Sequence, residues 1–256
     1  MVQNKEEIVE INDIQRPDKV LVNKLKEIGT ATASDELHRL GIGDPFIQGP
    51  ITYTPGKSIA GPAITLQFLP IREDVYKDDP LMPPNVQLHR QALFVAEEGD
   101  VVVVDARGNL RSGVFGDMML TYFKGKGGAG IVVDGAIRDY TNAKDLDLPM
   151  WLKGVTPNYH TQTSIFPNAV NIPIACGGTL VNPGDIIVAD DDGVVVVPIT
   201  LAEKVAEVSS GHSQWEIFAR EKLMSGGELR EFYPINAWSS ETHKEYENWL
   251  KNNPET

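Results

Sequence analysis

Between residues 101 and 145, short runs of valine and isoleucine alternate with segments of helical length. The apolar runs that begin at Val101 and Ile131 have no polar face, which predicts strands buried on both sides of a sheet. The segments 117–124 and 139–145 predict the helices that follow these strands. Strands and helices in this order are typical of parallel strands joined by right-handed crossovers. The chain is therefore predicted to contain an α/β domain.

Glycine and proline residues mark the ends and interruptions of the predicted elements in the rest of the chain. Gly29 interrupts a helical pattern, and Thr32 or Ser34 is the expected N-cap of its second part. Gly61 and Pro62 favour a kink or an edge position for the strand that contains them. The expected elements are two short helices at 20–40, a strand at 59–68, a surface excursion at 70–84, a helix at 86–97, β runs at 171–172, 179–181, 185–189 and 194–197, and a helix from Thr200 to about 224.

The strands on both sides of Pro149 are expected to share one core. The sequence accordingly predicts a domain over residues 1–228 and a C-terminal extension over 229–256. The extension carries Trp238 and Trp249, which would be an apolar liability on a solvated arm. It is therefore expected to pack on the domain or on a neighbouring subunit.

The net charge and the cysteine content indicate which classes of partner and which cellular location to expect. Lys and Arg number 23 and Asp and Glu 36, so the formal net charge is −13. A field of this sign repels phosphate backbones and anionic lipids, which argues against nucleic acid or membrane partners. The single cysteine, Cys176, permits no internal disulfide and predicts a reducing, cytoplasmic location.

Three conspicuous motifs have structural explanations. The glycine-rich stretch 125–130 follows a helix and precedes a strand, the reverse of the order in a dinucleotide-binding loop, so it predicts a helix C-cap and turn. The stretch 190–193 lacks the later ligands of a calcium loop and predicts a hairpin turn. Cys176 is expected to be a structural thiol unless folding brings His160 close.

Charged residues and glycines at the ends of the predicted strands are the candidates for chemistry. They are Asp105, Gly113, Gly116, Asp117, Gly135, Arg138 and Asp139. Open α/β sheets bind ligands beyond the carboxyl ends of their strands, so these loops should face one crevice. Two carboxylates and a guanidinium there would suit Mg²⁺ or Mn²⁺ and an anionic substrate. In the alternative interpretation, Asp117 and Asp139 are helix caps and Arg138 is their surface ion-pair partner.

The chain resembles the RraA-like family, which includes metal-dependent 4-hydroxy-4-methyl-2-oxoglutarate/4-carboxy-4-hydroxy-2-oxoadipate aldolases and regulators of ribonuclease E activity. The resemblance covers about residues 30 to 226. The segments that carry it are 32–35, 61–65, 99–105, Gly113 with Gly116-Asp117, 133–139, and 183–185 with 190–198. It implies a swivelling-type β/β/α domain that assembles as trimers or hexamers with sites between subunits.

The family's aldolase pattern assigns roles to individual residues. It consists of an Asp, twenty intervening residues, Arg-Asp, two residues and an acid; Asp117, Arg138 and Asp139 match it, whereas Asn142 replaces the acid. The resemblance implies that Asp139 ligates the metal and that Asp117 holds metal-bound water. Arg138 would contact the keto and enolate oxygens. The Gly113-Val114-Phe115-Gly116 loop would offer backbone N–H groups to the substrate carboxylate, and Glu216 of a neighbouring subunit would complete the site.

The implied activity is a class II aldolase reaction on a 4-hydroxy-2-oxo acid such as 4-hydroxy-4-methyl-2-oxoglutarate, with Mg²⁺ or Mn²⁺ and possible decarboxylation of oxaloacetate. Two alternatives stay open. One is a non-catalytic regulator that binds a ribonuclease or helicase, as some family members do. The other is a different metal-assisted lyase or hydrolase on the same scaffold.

Overall fold

A computed structural model describes residues 11–74, 87–160, 164–207 and 209–253. The chain divides into two compact units, residues 1–205 and 206–256. The strands are β1 (Ile51–Thr52), β2 (Ile59–Pro70), β3 (Val101–Gly113), β4 (Gly130–Ile137), β5 (Met150–Val155), β6 (Ile165–Val170), β7 (Ile174–Cys176), β8 (Thr179–Val181), β9 (Ile186–Asp190) and β10 (Gly193–Val197). The helices are α1 (Lys19–Arg39), α2 (Leu88–Val95), α3 (Asp117–Gly125), α4 (Tyr140–Ala143), α5 (Ala202–Ala206), α6 (Ser209–Met224), α7 (Leu229–Phe232) and α8 (Ser240–Asn252), with 3₁₀ turns at Lys144–Leu146, Ile199–Leu201 and Ile235–Ala237.

The main sheet of the first unit has the strand order β1-β5-β4-β3-β2-β9-β10, and β6 also pairs with β2. Strands β2, β3, β4 and β5 run parallel to one another, with Val104 of β3 opposite Val133 of β4 and Val133 opposite Leu152 of β5. The valine and isoleucine side chains of β3 and β4 are buried on both faces. The predicted α/β class with a swivelling-type β/β/α domain is confirmed.

Strand β2 is central, so the expectation of an edge position was wrong. One side of β2 pairs with β3 over Ala63 to Gln67, while the other side pairs first with β9 and then with β6. Pro62 is the last β2 residue that pairs with β9, and Ala63 then donates its N–H to the carbonyl of Asp185. A proline is tolerated there because the strand changes partners at that point.

Helix α1 is kinked at Gly29, as predicted, but its second part begins earlier than Thr32. Gly29 has a left-handed backbone (φ 71°, ψ 178°). The carboxylate of Asp190, at the end of β9, accepts hydrogen bonds from Thr30 N (2.8 Å) and Thr30 Oγ1 (2.6 Å). A side chain from a distant strand therefore caps this half-helix, in place of the local cap expected from Thr32 or Ser34.

Two clusters of buried apolar side chains lie on the sheet. One contains Val102, Val104 and Val133 of the sheet together with side chains of α2 and α3, such as Leu93 and Phe123. The other contains Val103, Val132 and Trp151 of the sheet and side chains of the β7–β8 hairpin, including Cys176. The sheet is thus covered on both faces, and the loops after β3 and β4 are left at its rim.

The second unit is helical and has its own aromatic core. Trp215, Phe218, Ala219, Phe232 and Trp238 are buried together there, and Trp249 packs against them. The helix predicted from Thr200 to about 224 is broken, with a 3₁₀ turn at Ile199–Leu201 followed by α5 and α6. No helix among the described residues is long and apolar enough to cross a membrane.

Several strands were missed or misplaced in the sequence interpretation. Strands β1, β5, β6 and β7 were not predicted, and the β run expected at 171–172 follows the end of β6. The helix expected at 86–97 is α2, and the one expected at 139–145 is α4 with its 3₁₀ turn. Of the excursion at 70–84, only residues up to 74 lie within the described part.

Candidate active site

Backbone hydrogen bonds join the loops that follow β3 and β4. The N–H of Val114 donates to the carbonyl of Ala136 at 2.9 Å, and the N–H of Arg138 donates to the carbonyl of Phe115, also at 2.9 Å. Because β3 and β4 are parallel neighbours, both loops leave the sheet at the same edge. The fold thereby brings Gly113, Gly116 and Asp117 beside Arg138 and Asp139.

Glycine at position 116 makes room for the two charged side chains of the second loop. A Cβ atom at this position would lie 2.7 Å from Asp139 Oδ2 and 3.1 Å from Arg138 Nε. Arg138 Nε in turn lies 3.2 Å from Asp139 Oδ2. Asp139 itself has a left-handed backbone at φ 57°, an uncommon conformation for a residue with a side chain. Asp is among the residues that adopt this conformation most readily, and the conformation directs the Asp139 carboxylate beside Arg138.

Asp117 is held from the other side. Its Oδ2 accepts a hydrogen bond from Asn142 Nδ2 at 2.9 Å, and its Oδ1 accepts one from the N–H of Met118 at 2.7 Å. Asp117 begins α3, so its charge also faces the positive end of that helix. This is part of the capping role that the alternative interpretation assigned to it, but the carboxylate is also linked to the second loop.

The structure restricts which N–H groups of the first loop can bind a ligand. Gly113 donates to the carbonyl of Asn158 at 3.1 Å, and Val114 donates to Ala136. Within the described part of the chain, the N–H groups of Phe115 and Gly116 have no such acceptor. Four residues were expected to offer N–H groups to a carboxylate. Among them, only Phe115 and Gly116 have an N–H group that is not already bonded to a backbone carbonyl of the described chain.

A cavity of about 530 Å³ lies next to these loops. Gly113, Val114, Gly116, Asp117 and Arg138 line it, together with residues that the sequence interpretation did not select. The unselected lining residues are Gln87, His89, Arg90, Leu93, Phe94, Met118, Met119, Tyr122, Tyr159 and His160. Asp105 lies outside this arrangement: its carboxylate accepts from the N–H of Arg107 at 3.0 Å, and burial raises its pKa.

His89 is the most unusual of the unselected residues. Its side chain is on α2 and is only 1% exposed, and its Nδ1 has no hydrogen-bond partner. Its ring lies 3.8 Å from the ring of His160, measured between centroids. Burial, followed by the charges of His160 and Arg90, holds the pKa of His89 well below its usual value. The ring is therefore neutral at physiological pH.

The site supplies two carboxylates for the expected metal. The described residues contain no group of three or more His, Cys, Asp or Glu side chains that could hold a metal ion. Asp117 and Asp139 supply hard carboxylate oxygens, which fit a Mg²⁺ or Mn²⁺ ion that keeps several water ligands. Further ligands would have to come from water, substrate or another subunit. Glu216, the acid expected from a neighbouring subunit, lies on α6 in the second unit.

The glycine-rich stretch 125–130, the stretch 190–193 and Cys176 have the structural roles that were predicted for them. Gly127 and Gly128 donate N–H groups to the carbonyls of Lys124 and Phe123 and end α3. The stretch 190–193 is the turn of the β9–β10 hairpin. Cys176 is fully buried next to the carbonyl of Val104, and burial raises its pKa well above the usual value, so the thiol is unreactive.

The chain is similar in sequence to known proteins. A family model described as RraA-like: Aldolase/RraA matches residues 30–196. A protein of Halalkalibacterium halodurans that carries the provisional name 4-hydroxy-4-methyl-2-oxoglutarate aldolase is 41% identical over 135 residues. That alignment covers 53% of this chain and 63% of the relative, so less than two thirds of the relative's length is matched.

Solved structures show the same fold. The Streptomyces coelicolor protein RraAS2, described as an unusual member of the RNase ES inhibitor RraA protein family, is 45% identical with a TM-score of 0.73. The match covers 80% of this chain and 98% of RraAS2. An uncharacterised protein of Pseudomonas syringae pv. tomato is 25% identical with a TM-score of 0.73, covering 88% of this chain and 97% of that protein.

Proposed function

Because the chain belongs to the RraA-like family of aldolases and RraA proteins, we propose that it is a divalent-metal-dependent lyase of the class II pyruvate aldolase type. Its substrate would be a 4-hydroxy-2-oxo acid such as 4-hydroxy-4-methyl-2-oxoglutarate, and oxaloacetate decarboxylation would be a second reaction. The assembly would be a homotrimer or homohexamer with sites at the subunit interfaces.

One observation carries this proposal: Asp117 and Arg138 line one cavity, and Asp139 pairs with Arg138 at its edge. The space for this cluster depends on the missing side chain at Gly116. A residue serving only as a helix cap would bond the helix through its side chain, whereas Asp139 makes no side-chain capping hydrogen bond to α4.

The carboxylates of Asp139 and Asp117 would hold the Mg²⁺ or Mn²⁺ ion, the latter through water. When bound, such an ion polarises a carbonyl oxygen as a Lewis acid. The substrate carboxylate would accept hydrogen bonds from the N–H groups of Phe115 and Gly116. The C2 keto oxygen would then lie within reach of the Arg138 guanidinium, which can donate hydrogen bonds to it in a fixed orientation.

The chain's own groups account for the movement of charge and protons. The proton of the C4 hydroxyl leaves to a base, C4 becomes a carbonyl, and the C3–C4 bond breaks with its electron pair moving toward C3. The negative charge that collects on the C2 oxygen is stabilised by Arg138, a role worth a few kcal/mol per donor in other enzymes. Protonation at C3 then gives pyruvate. Glu216 of a neighbouring subunit would accept and return the proton.

The decisive variant is Arg138→Ala. It should lower kcat for pyruvate release at least 100-fold in the presence of Mg²⁺, because charge on the C2 oxygen loses its donor in the transition state. Circular dichroism should show an unchanged fold, since the side chain is 41% exposed. The exposed Arg39 of α1 provides a matched Arg39→Ala control that should keep full activity. Undiminished turnover in Arg138→Ala would remove Arg138 from the mechanism.

A second candidate function is supported by the 45% identity to RraAS2, a protein described within an RNase ES inhibitor family. In that case the chain would bind a ribonuclease or helicase partner without catalysis. Incubation with Mg²⁺ or Mn²⁺ and a panel of hydroxylated 2-oxo acids separates the two. Release of pyruvate that stops when chelator is added supports the lyase. Failure to release pyruvate from any of these substrates supports the regulator.

A further inference from the structure

The cavity that contains Arg138 has a second cationic wall, formed by the first turn of α2. Its charged lining residues are Arg90, Arg138 and Asp117. Asp139 pairs with Arg138 at the cavity edge, and Asp117 accepts a hydrogen bond from Asn142, so neither carboxylate is paired with Arg90. An unneutralised guanidinium in a cavity favours an anionic ligand.

The positive charge of Arg90 is not neutralised by a carboxylate that the structure describes at this wall. Its Nε donates to Gln87 Oε1 at 2.8 Å, which fixes the side chain to the residue preceding α2. Among the residues that the structure describes, it forms no ion pair with a carboxylate. Arg138, by contrast, is paired with Asp139. A partly buried guanidinium without a counter-ion is a site for a planar, bidentate anion such as a carboxylate.

The start of α2 offers a second feature that suits an anion. The helix has no side-chain cap, so its first N–H groups lack side-chain acceptors. The Nδ1 of the neighbouring His89 is enclosed by protein atoms, so Arg90 is the side chain of this turn that supplies the charge.

We propose that Arg90 is the subsite for a second carboxylate of the substrate, and that it makes the protein select dicarboxylic over monocarboxylic 2-oxo acids. This inference rests on the proposed function for the position of the reacting end at Arg138. The substrate then spans the cavity, with its 2-oxo acid end at the loops after β3 and β4 and its distal carboxylate at α2.

Turnover provides the first test. The two substrates are 4-hydroxy-4-methyl-2-oxoglutarate and 4-hydroxy-4-methyl-2-oxopentanoate, in which a methyl group replaces the distal carboxylate. Arg90→Met should lower kcat/KM for the dicarboxylic substrate about 10- to 100-fold, the range expected for a charged hydrogen bond, and change the monocarboxylic value less than threefold. Arg90→Lys should retain part of the preference, and Arg39→Met should retain all of it.

Binding provides the second test and does not depend on catalysis. Calorimetry with the Mg²⁺-loaded protein should show tighter binding of 2-oxoglutarate, which lacks the C4 hydroxyl, than of 2-oxopentanoate. Arg90→Met should abolish that difference, and Arg39→Met should leave it unchanged. A wild-type protein without the preference, or an Arg90→Met variant that weakens both ligands equally, would overturn the subsite. If the preference depends on Arg90 but no substrate is cleaved, the subsite stands and the lyase proposal fails.

Discussion

Asn142 stands where the aldolase pattern has an acid, and the structure shows what the amide does there. Its Nδ2 donates to Asp117 Oδ2 at 2.9 Å, so Asp117 is stabilised by a neutral donor and not by a shared cation. An acid at this position would place a second carboxylate against Asp117. Two such carboxylates repel each other unless a proton or a metal ion lies between them.

This contact predicts a metal-dependent effect of Asn142→Asp. Without divalent ions the variant should be about 1 kcal/mol less stable than wild type, because a hydrogen bond becomes a like-charge contact. Mg²⁺ should raise its Tm more than that of wild type, since the added charge strengthens cation binding. Thermal unfolding with Mg²⁺ and with chelator measures both effects. Asn142→Ala, which loses the bond without adding charge, is the control and should show no larger Mg²⁺ response than wild type.

His89 predicts a pH dependence of stability whose sign follows from its buried, neutral ring. Its pKa in the folded protein lies well below the ordinary value of 6.5, so below about pH 6.5 the unfolded chain binds a proton that the folded one does not. Stability is therefore lost as pH falls. Between pH 7.5 and 5.5 this residue alone should account for about 1 kcal/mol.

His89→Asn removes that titration and keeps a polar group near the Nδ1 position. Denaturant unfolding at the two pH values should show a smaller loss of stability in the variant than in wild type. His38→Asn, at an exposed position on α1, is the matched control and should keep the wild-type pH dependence. Equal losses in wild type and His89→Asn would contradict the assignment.

At the scale of elements, the two halves of α1 depend on a hairpin far away in the sequence. Asp190 of β9 accepts from Thr30 N and Thr30 Oγ1 and caps the helix that restarts after Gly29. Asp190→Ala should lower the free energy of unfolding by about 1 to 3 kcal/mol, because both bonds are lost from a partly buried site. Asp192→Ala, in the exposed part of the same turn, should change it by less than about 0.5 kcal/mol. Chemical denaturation measures both, and equal effects would exclude the cap.

The elements that could be predicted are those whose pattern is local. The runs that begin at Val101 and Ile131 identify β3 and β4 because a strand buried on both faces needs apolar residues throughout. Strand β5 contains Lys153 and β6 contains Pro167, and these residues interrupt the β pattern. Pairing with neighbours that are distant in sequence holds both strands in place, so tertiary structure overrides their weak local propensity.

Some residues of the candidate site could be predicted from the sequence and others could not. Asp117, Arg138 and Asp139 could be grouped from sequence because parallel strands end at a common edge. His89 and Arg90 could not, since α2 reaches the cavity only through the packing of the folded unit. A buried histidine on an apolar helix face gives no signal in the sequence that separates it from a core residue. The cap of α1 was misplaced for the same reason, because its acceptor comes from β9.

At the scale of the whole molecule, we propose that a second copy of the chain completes the site. Asp117 and Asp139 supply two carboxylates, and no third acid among the described residues joins them to form a metal-binding group. Closed homo-oligomers place the same interface at every subunit, so an acid contributed across it would serve each site equally. Glu216 on α6 is the residue we propose for that contribution.

Mixing inactive subunits tests this arrangement. Arg138→Ala and Glu216→Ala should each lose activity as a pure protein, because every site lacks one group. If the two variants are unfolded, mixed in equal amounts and refolded together, about a quarter of the sites should pair an intact Arg138 with an intact Glu216 from its neighbour. Pyruvate release should then recover to about that fraction of wild type. Mixtures of Arg138→Ala with Asp117→Ala should stay inactive, because both groups belong to the same subunit. Recovery in that control, or none in the first mixture, would contradict a site shared between subunits through Glu216.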